Sequence, residues 1–238
     1  MDKKKLEGLE KLIKITFKDK DMLNQVFIHR SYLNEFKDEK IESNERLEFL
    51  GDAVLELAVT RYLYKNYPKE NEGVLTSWRA SLVNGKNLSD SAQIIGLGEL
   101  LYLSKGEEKT GGRERELLLA NTFEALIGAI YLDQGFKTAE KFIFENVLNK
   151  LQNILDNKLY LDPKTHFQEI VQSEIGVTPT YKLLEEAGPD HNKNFVIGLY
   201  VNNKHLSTGE GKSKQVAQVN AAKEAIEKYK KDSEKVFE

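Results

Sequence analysis

The sequence predicts a two-domain α+β chain, with an all-helical first half followed by a small α-β-β-β-α module. Three observations carry this. Up to about residue 156, apolar residues recur at helical spacing almost throughout. After about residue 163 the pattern becomes one helix, three alternating runs and a final Ala-rich helix. The length of 238 residues accommodates one or two domains. The domains are expected at 1–156 and 164–231, joined by a linker at 157–163 and followed by a tail at 232–238.

The chain opens with an amphipathic helix whose inward face is Leu6, Leu9, Leu12 and Ile13. Helices are then predicted at 21–30, 44–66, 71–84, 85–95, 113–135 and 137–157. Pro68 and the glycines at 73, 96, 98, 106, 111 and 112 punctuate them. The polar run SKGEEKTGG at 104–112 is expected to be a mobile loop. His29 is expected at a helix end against Tyr32, and Trp78 in the core. In the second half, 164–175 is a helix with Phe167, Ile170 and Val171 as its apolar face. Strands are expected at 180–186, 194–202 and 204–209. A helix at 212–230 turns Val216, Val219, Ala222, Ile226 and Tyr229 inward. The strands form one antiparallel sheet with both helices on one face.

Composition sets limits on function. Charged residues are 31% and hydrophobic ones 40%, an ordinary globular balance. Cysteine is absent, which removes disulfides, thiolate nucleophiles and cysteine-based zinc sites. The N-terminal stretch MDKKKLEGLEKL lacks the apolar core of a secretory signal, so the cytoplasm is the expected location. The apolar run at 117–132 is shorter than the ~20 residues of a membrane span and has a glutamate in its middle. Net charge is −3, so any nucleic-acid surface must be a local basic patch.

Two stretches carry the chemistry. Residues 44–55 read NERLEFLGDAVL, with Glu45, Glu48 and Asp52 at i, i+3 and i+7 on one helix face. Like charges stacked this way repel one another. The stripe is either a solvated acidic face or a site for a hard divalent cation, which takes oxygen ligands. Residues 117–132 read LLLANTFEALIGAIYL, the most apolar run in the chain, yet they hold Asn121 and Glu124 at i, i+3. An ionised carboxylate among Leu and Ile is costly unless it is paired or bound to a metal. Two helices that each offer oxygen side chains at this spacing could together cradle a metal. An all-helical scaffold with an acidic patch leaves Glu124 unexplained.

With both halves read, the chain resembles bacterial ribonuclease III. NERLEFLGDAVL at 44–55 agrees with that family's signature, and ANTFEALIGAIYLD at 120–133 matches its second acidic helix at all but one decisive position. The second half is similar to a double-stranded-RNA-binding domain through DPKTHFQE at 162–169, GPDH at 188–191 and GEGKSKQVA at 209–217. The resemblance covers nearly the whole chain. It implies an endonuclease that cuts both strands of duplex RNA with Mg2+ (Mn2+ as a substitute), leaving 5′-phosphate and 3′-hydroxyl ends. It also implies a homodimer and a role in processing ribosomal precursors and structured messenger RNA.

Carried over by position, Glu48, Asp52 and Glu124 match the family's metal-binding and catalytic carboxylates. Glu48 and Glu124 are expected to ligate the metal and Asp52 to orient the attacking water. Glu45 matches a residue linked to the dimer valley. The remaining metal position, normally aspartate, is Asn121, whose carbonyl can still ligate but brings no charge. A cleavage-deficient duplex-RNA-binding regulator is therefore the alternative reading.

In the second domain, Thr165, Gln168, Glu169 and Gln172 lie opposite the apolar helix face, suited to the shallow minor groove of A-form RNA. His191 in the GPDH turn is expected to reach a neighbouring minor groove. Lys212, Ser213 and Lys214 sit at a helix N-terminus that favours phosphate, with Lys193 assisting. Gln215 stands where the family often has another lysine.

Overall fold

The computed structural model describes residues 3–36, 41–189 and 192–231, and the chain divides into two compact units, Met1–Asn157 and Lys158–Glu238. The first unit is helical. Its helices are α1 (Lys3–Ile13), α2 (Lys20–Gln25), α3 (Arg30–Glu35), α4 (Glu45–Asn66), α5 (Glu72–Val83), α6 (Gly85–Ile94), α7 (Lys105–Lys109), α8 (Glu116–Gln134), α9 (Phe136–Asn146) and α10 (Leu151–Asp156). Helix α8 is the hub, packed by α4, α6 and α9. Its Phe123, Ala125, Leu126, Ile127, Ala129 and Ile130 are fully buried. The starts of the helices are encoded locally. Asp19, Asn71 and Asn84 each place a side-chain oxygen on free backbone N–H groups of the first turns of α2, α5 and α6.

Several expected elements are corrected. The helix predicted over 21–30 is broken. Ile28 pairs with Tyr102 in an isolated parallel bridge, and His29 N–H donates to the Tyr102 carbonyl at 3.2 Å. His29 stands at a helix end beside Tyr32 as expected, but at the start of α3, which it caps through its ring Nδ1. The helix predicted over 137–157 is interrupted at Val147, whose ψ of −56° accompanies a φ of −123°, and resumes as α10. Residues 104–112 are not an open loop. Ser104 caps α7, accepting from Glu107 N–H at 3.1 Å, and two arginines fasten the segment. Arg113 donates to the carbonyls of Gly98 and Leu101 and pairs with Glu108, while Arg115 pairs with Glu107. Leu12, expected inside, is 57% exposed, whereas Trp78 is buried as expected.

The second unit comprises α11 (Pro163–Ile175), β1 (Thr180–Ala187), β2 (Asn194–Val201), β3 (Lys204–Gly211) and α12 (Lys214–Lys231). The strands form one antiparallel sheet in the order β1-β2-β3, with Gly198 opposite both Lys182 and Thr208. Phe167 and Val171 of α11 meet Leu199 and Val201 of β2 and an alanine stripe on α12 to make the core. That stripe is Ala217, Ala221, Ala222 and Ala225 with Ile226, not the valine-led face expected, and Val216 is 47% exposed. The reason is proximity. A Cβ on Gly209 would lie 2.2 Å from the Ala217 carbonyl, so α12 rests against β3 with almost no space between. Only small side chains fit there.

Candidate active site and RNA-binding face

The acidic site forms where α4 crosses α8. The two helices touch at backbone level. A Cβ on Gly51 would fall 1.8 Å from the Glu124 carbonyl oxygen, and one on Gly128 would fall 2.2 Å from that of Leu47. Leu47, Val54 and Leu55 seal the inner face of α4. Gly51 thus sits beside Asp52 on one helix, and Gly128 lies one turn past Glu124 on the other. The crossing brings the outward side chains of both helices together.

The electrostatics record the convergence. Burial pushes the Glu124 carboxyl up to about 7, and the charges of Asp52 and Glu48 add to the rise. Glu48 is also raised, first by desolvation and then by Glu45, while a hydrogen bond from the Asn121 side chain opposes the shift. Glu48, Asn121 and Glu124 are half-buried, whereas Asp52 and Glu45 are exposed. Glu45 is held on the outer rim by Ser43 Oγ at 3.1 Å and Arg30 at 3.4 Å. The charges acting on Glu48 are those of Glu45 and Asp52, and those acting on Glu124 are those of Asp52 and Glu48. The site therefore concentrates negative charge, opposed at Glu48 by the Asn121 amide and at Glu45 by Arg30.

Every donor in this cluster is oxygen, the chemistry that suits a hard divalent cation. Among the described residues no three His, Asp or Glu side chains close into a ready cage. Mg2+ keeps several waters, so it needs few protein ligands. The donor set fits such an ion.

The second unit gathers the other expected residues on two patches. Thr165, Gln168, Glu169 and Gln172, with Ser173, line one shallow depression along α11. Glu169 also pairs with Lys158 at 3.5 Å. At the start of α12, Ser213 Oγ caps the helix by accepting from Val216 N–H at 3.2 Å. Lys212 donates to Asn192 at 2.9 Å, and Lys214 lies over the Phe195 ring at 5.7 Å. Lys193 pairs with Glu186 at 2.8 Å, and the Glu186 carboxyl is lowered chiefly by that bond, with Lys193 and Lys214 charge assisting. These lysines therefore share one end of the module. His191 lies outside the described residues.

Sequence reasoning missed Gly51 and Gly128, which set the helix crossing at the acidic site without supplying a ligand. A glycine inside each of two helices that carry paired oxygens was the available signal.

Comparison with known proteins matches both halves. A family model described as ribonuclease-III-like covers residues 19–151, and one for the double-stranded RNA binding motif covers residues 163–229. A ribonuclease 3 of Bacillus cereus is 47% identical over 218 residues, spanning 92% of this chain and 89% of the relative. The chain belongs to the ribonuclease III family. A ribonuclease 3 of Bacillus anthracis shows the same 47% identity over 92% of this chain and 89% of its own length. The crystallised nuclease domain of ribonuclease III from Campylobacter jejuni is 39% identical with a TM-score of 0.55, covering 61% of this chain and 97% of that one. A second structure of that domain, concerned with flexibility in a region involved in dimer formation, is 41% identical with a TM-score of 0.54, over 59% of this chain and 97% of that one. As a member of the ribonuclease III family that carries both units, the chain is an endoribonuclease acting on double-stranded RNA. Among the described residues, no helix is long and apolar enough to cross a membrane.

Proposed function

We propose that the protein is a Mg2+-dependent, homodimeric, cytoplasmic endoribonuclease. It hydrolyses both strands of duplex RNA to 5′-phosphate and 3′-hydroxyl ends, in the processing of ribosomal precursors and structured messenger RNA. Mn2+ substitutes for Mg2+. The observation that carries this reading is the mutual repulsion of Glu48, Asp52 and Glu124 across the α4–α8 crossing.

Glu48 and Glu124 would hold the metal with the Asn121 carbonyl. When bound, Mg2+ supplies positive charge to the scissile phosphate and raises the acidity of water. Asp52, exposed one turn beyond Glu48, orients the attacking water by accepting its hydrogen bond. The α11 depression presents hydroxyl and amide groups to the minor groove, and Lys212, Lys214 and Lys193 meet phosphates. Phe49, 82% exposed on α4 beside the Glu45 rim, supports burial of this helix face against a second copy. The protein acts in the cytoplasm, in keeping with the absence of cysteine.

Asn121 removes one charge, so the Mg2+ requirement is raised rather than abolished. The test is cleavage of long duplex RNA across a Mg2+ titration, with end-group analysis, for the natural chain and Asn121→Asp. The expected outcome is 5′-phosphate products from both, with the variant saturating at lower Mg2+. Identical metal dependence would refute the raised requirement. No product from the natural chain at saturating metal would make it a duplex-binding regulator.

A further inference from the structure

Asn44 occupies the position before α4 where asparagine ordinarily caps a helix with its side chain. Here it does not. Its backbone is already helical, with φ −77° and ψ −6°, and its side chain makes no capping bond. The side chain is instead turned inward and is only 3% exposed. Its amide donates to the Val26 carbonyl at 3.0 Å, and its backbone N–H donates to the Ile28 carbonyl at 2.9 Å. One residue earlier, Gln25 donates to the Ser43 carbonyl at 3.0 Å. Val26, Phe27 and Ile28 are buried, and Ile28 is itself bridged to Tyr102. The start of α4 is therefore bonded to a fixed part of the core.

The Asn44 carbonyl, in turn, accepts the first helical bond from Glu48 N–H at 2.9 Å. Glu48 thus lies one turn after this anchor and three residues before Gly51, where α4 is pressed against α8. The segment between these two fixed points carries the carboxylate that faces Asn121 and Glu124. A side-chain capping bond is forgone at this position.

We propose that Asn44 is a positioning residue for the acidic site: by tying the first turn of α4 to the Val26–Ile28 segment, it sets where Glu48 presents its carboxylate to a divalent cation. The inference rests on the reading of Glu48 as a metal ligand. It concerns how that ligand is held, not whether the fold stands.

The experiment measures Mg2+ binding by calorimetry to the metal-free full-length protein, with no RNA present. Four proteins are compared: the natural chain, Asn44→Ala, Glu48→Gln and Ile154→Ala. The last removes core packing in α10, and its thermal midpoint shows how far lost stability alone affects binding. Asn44→Ala is expected to weaken Mg2+ binding by about tenfold, the low end for losing a group that orients a metal ligand. Ile154→Ala is expected to bind as the natural chain does. Should Asn44→Ala not fold, Asn44→Ser, with a shorter polar arm, takes its place with the same expected direction. Natural affinity in the Asn44 variant, or an equal loss in Ile154→Ala, overturns the inference while Glu48→Gln is impaired. Natural affinity in Glu48→Gln removes the metal-ligand reading and the inference with it.

Discussion

Both units bring a helix into backbone contact through small residues, but the two contacts differ in what surrounds them. At the α12–β3 contact, Gly209 and the alanine stripe close over an apolar core, and the buried Ser207 hydroxyl donates to the Ala221 carbonyl at 2.7 Å. At the α4–α8 contact, Gly51 and Gly128 bring together Glu48, Asp52 and Glu124, which repel one another. The first arrangement spends its proximity on stability. The second accepts an electrostatic cost to hold oxygen donors in place, as a binding site does. Close packing alone therefore does not separate scaffold from site; unrelieved charge does.

The largest expected break of this comparison is chemical. Glu124→Gln should lower duplex cleavage by at least about a thousandfold while leaving RNA binding in a gel-shift assay near natural strength. Next comes packing. Gly51→Ala places a methyl into the Glu124 carbonyl, and urea unfolding should show a loss of about 3 kcal/mol or more. Gly209→Ala should cost a similar amount, because α12 has no more room than α8. If Gly209→Ala is harmless, the two contacts are not alike in tightness.

Lys212→Ala with Lys214→Ala should weaken duplex binding uniformly across RNA sequences and reduce the salt slope by about two. Loss confined to one RNA sequence would contradict that. The smallest effect is in pH. Glu124 binds its proton more tightly folded than unfolded, so its contribution to stability is present below its ordinary value near 4.5 and is lost as pH rises towards about 7. The melting temperature of the metal-free protein should therefore fall more between pH 5 and about pH 7.5 than that of Glu124→Gln. Parallel curves would show that Glu124 is not under this strain.

The two acidic helices and the α-β-β-β-α order were legible because period and motif are local properties of the chain. What was not legible depends on contacts distant in sequence. The break at Phe27–His29 follows from pairing with Tyr102, some seventy residues away. The shape of the 104–112 segment follows from Arg113 and Arg115 reaching back onto Glu108 and Glu107. Val216 is exposed because Gly209 lets α12 approach on its alanines, a choice helical periodicity cannot make. At the site, the ligand candidates could be read from carboxylate spacing. Asn44 could not, since helical periodicity says nothing of a side chain bonded to the Val26 carbonyl far back in the sequence.

Helices in contact along their main chains cannot slide or roll against each other without collision. At the Gly51–Gly128 junction the adjustment to an ion's radius would therefore fall to side-chain torsions. Under the proposed metal-binding role, discrimination among divalent cations would be governed by the reach of a few carboxylate arms on a rigid frame. Shortening Glu48 to aspartate would retune that preference more directly than any change to the interior of the protein.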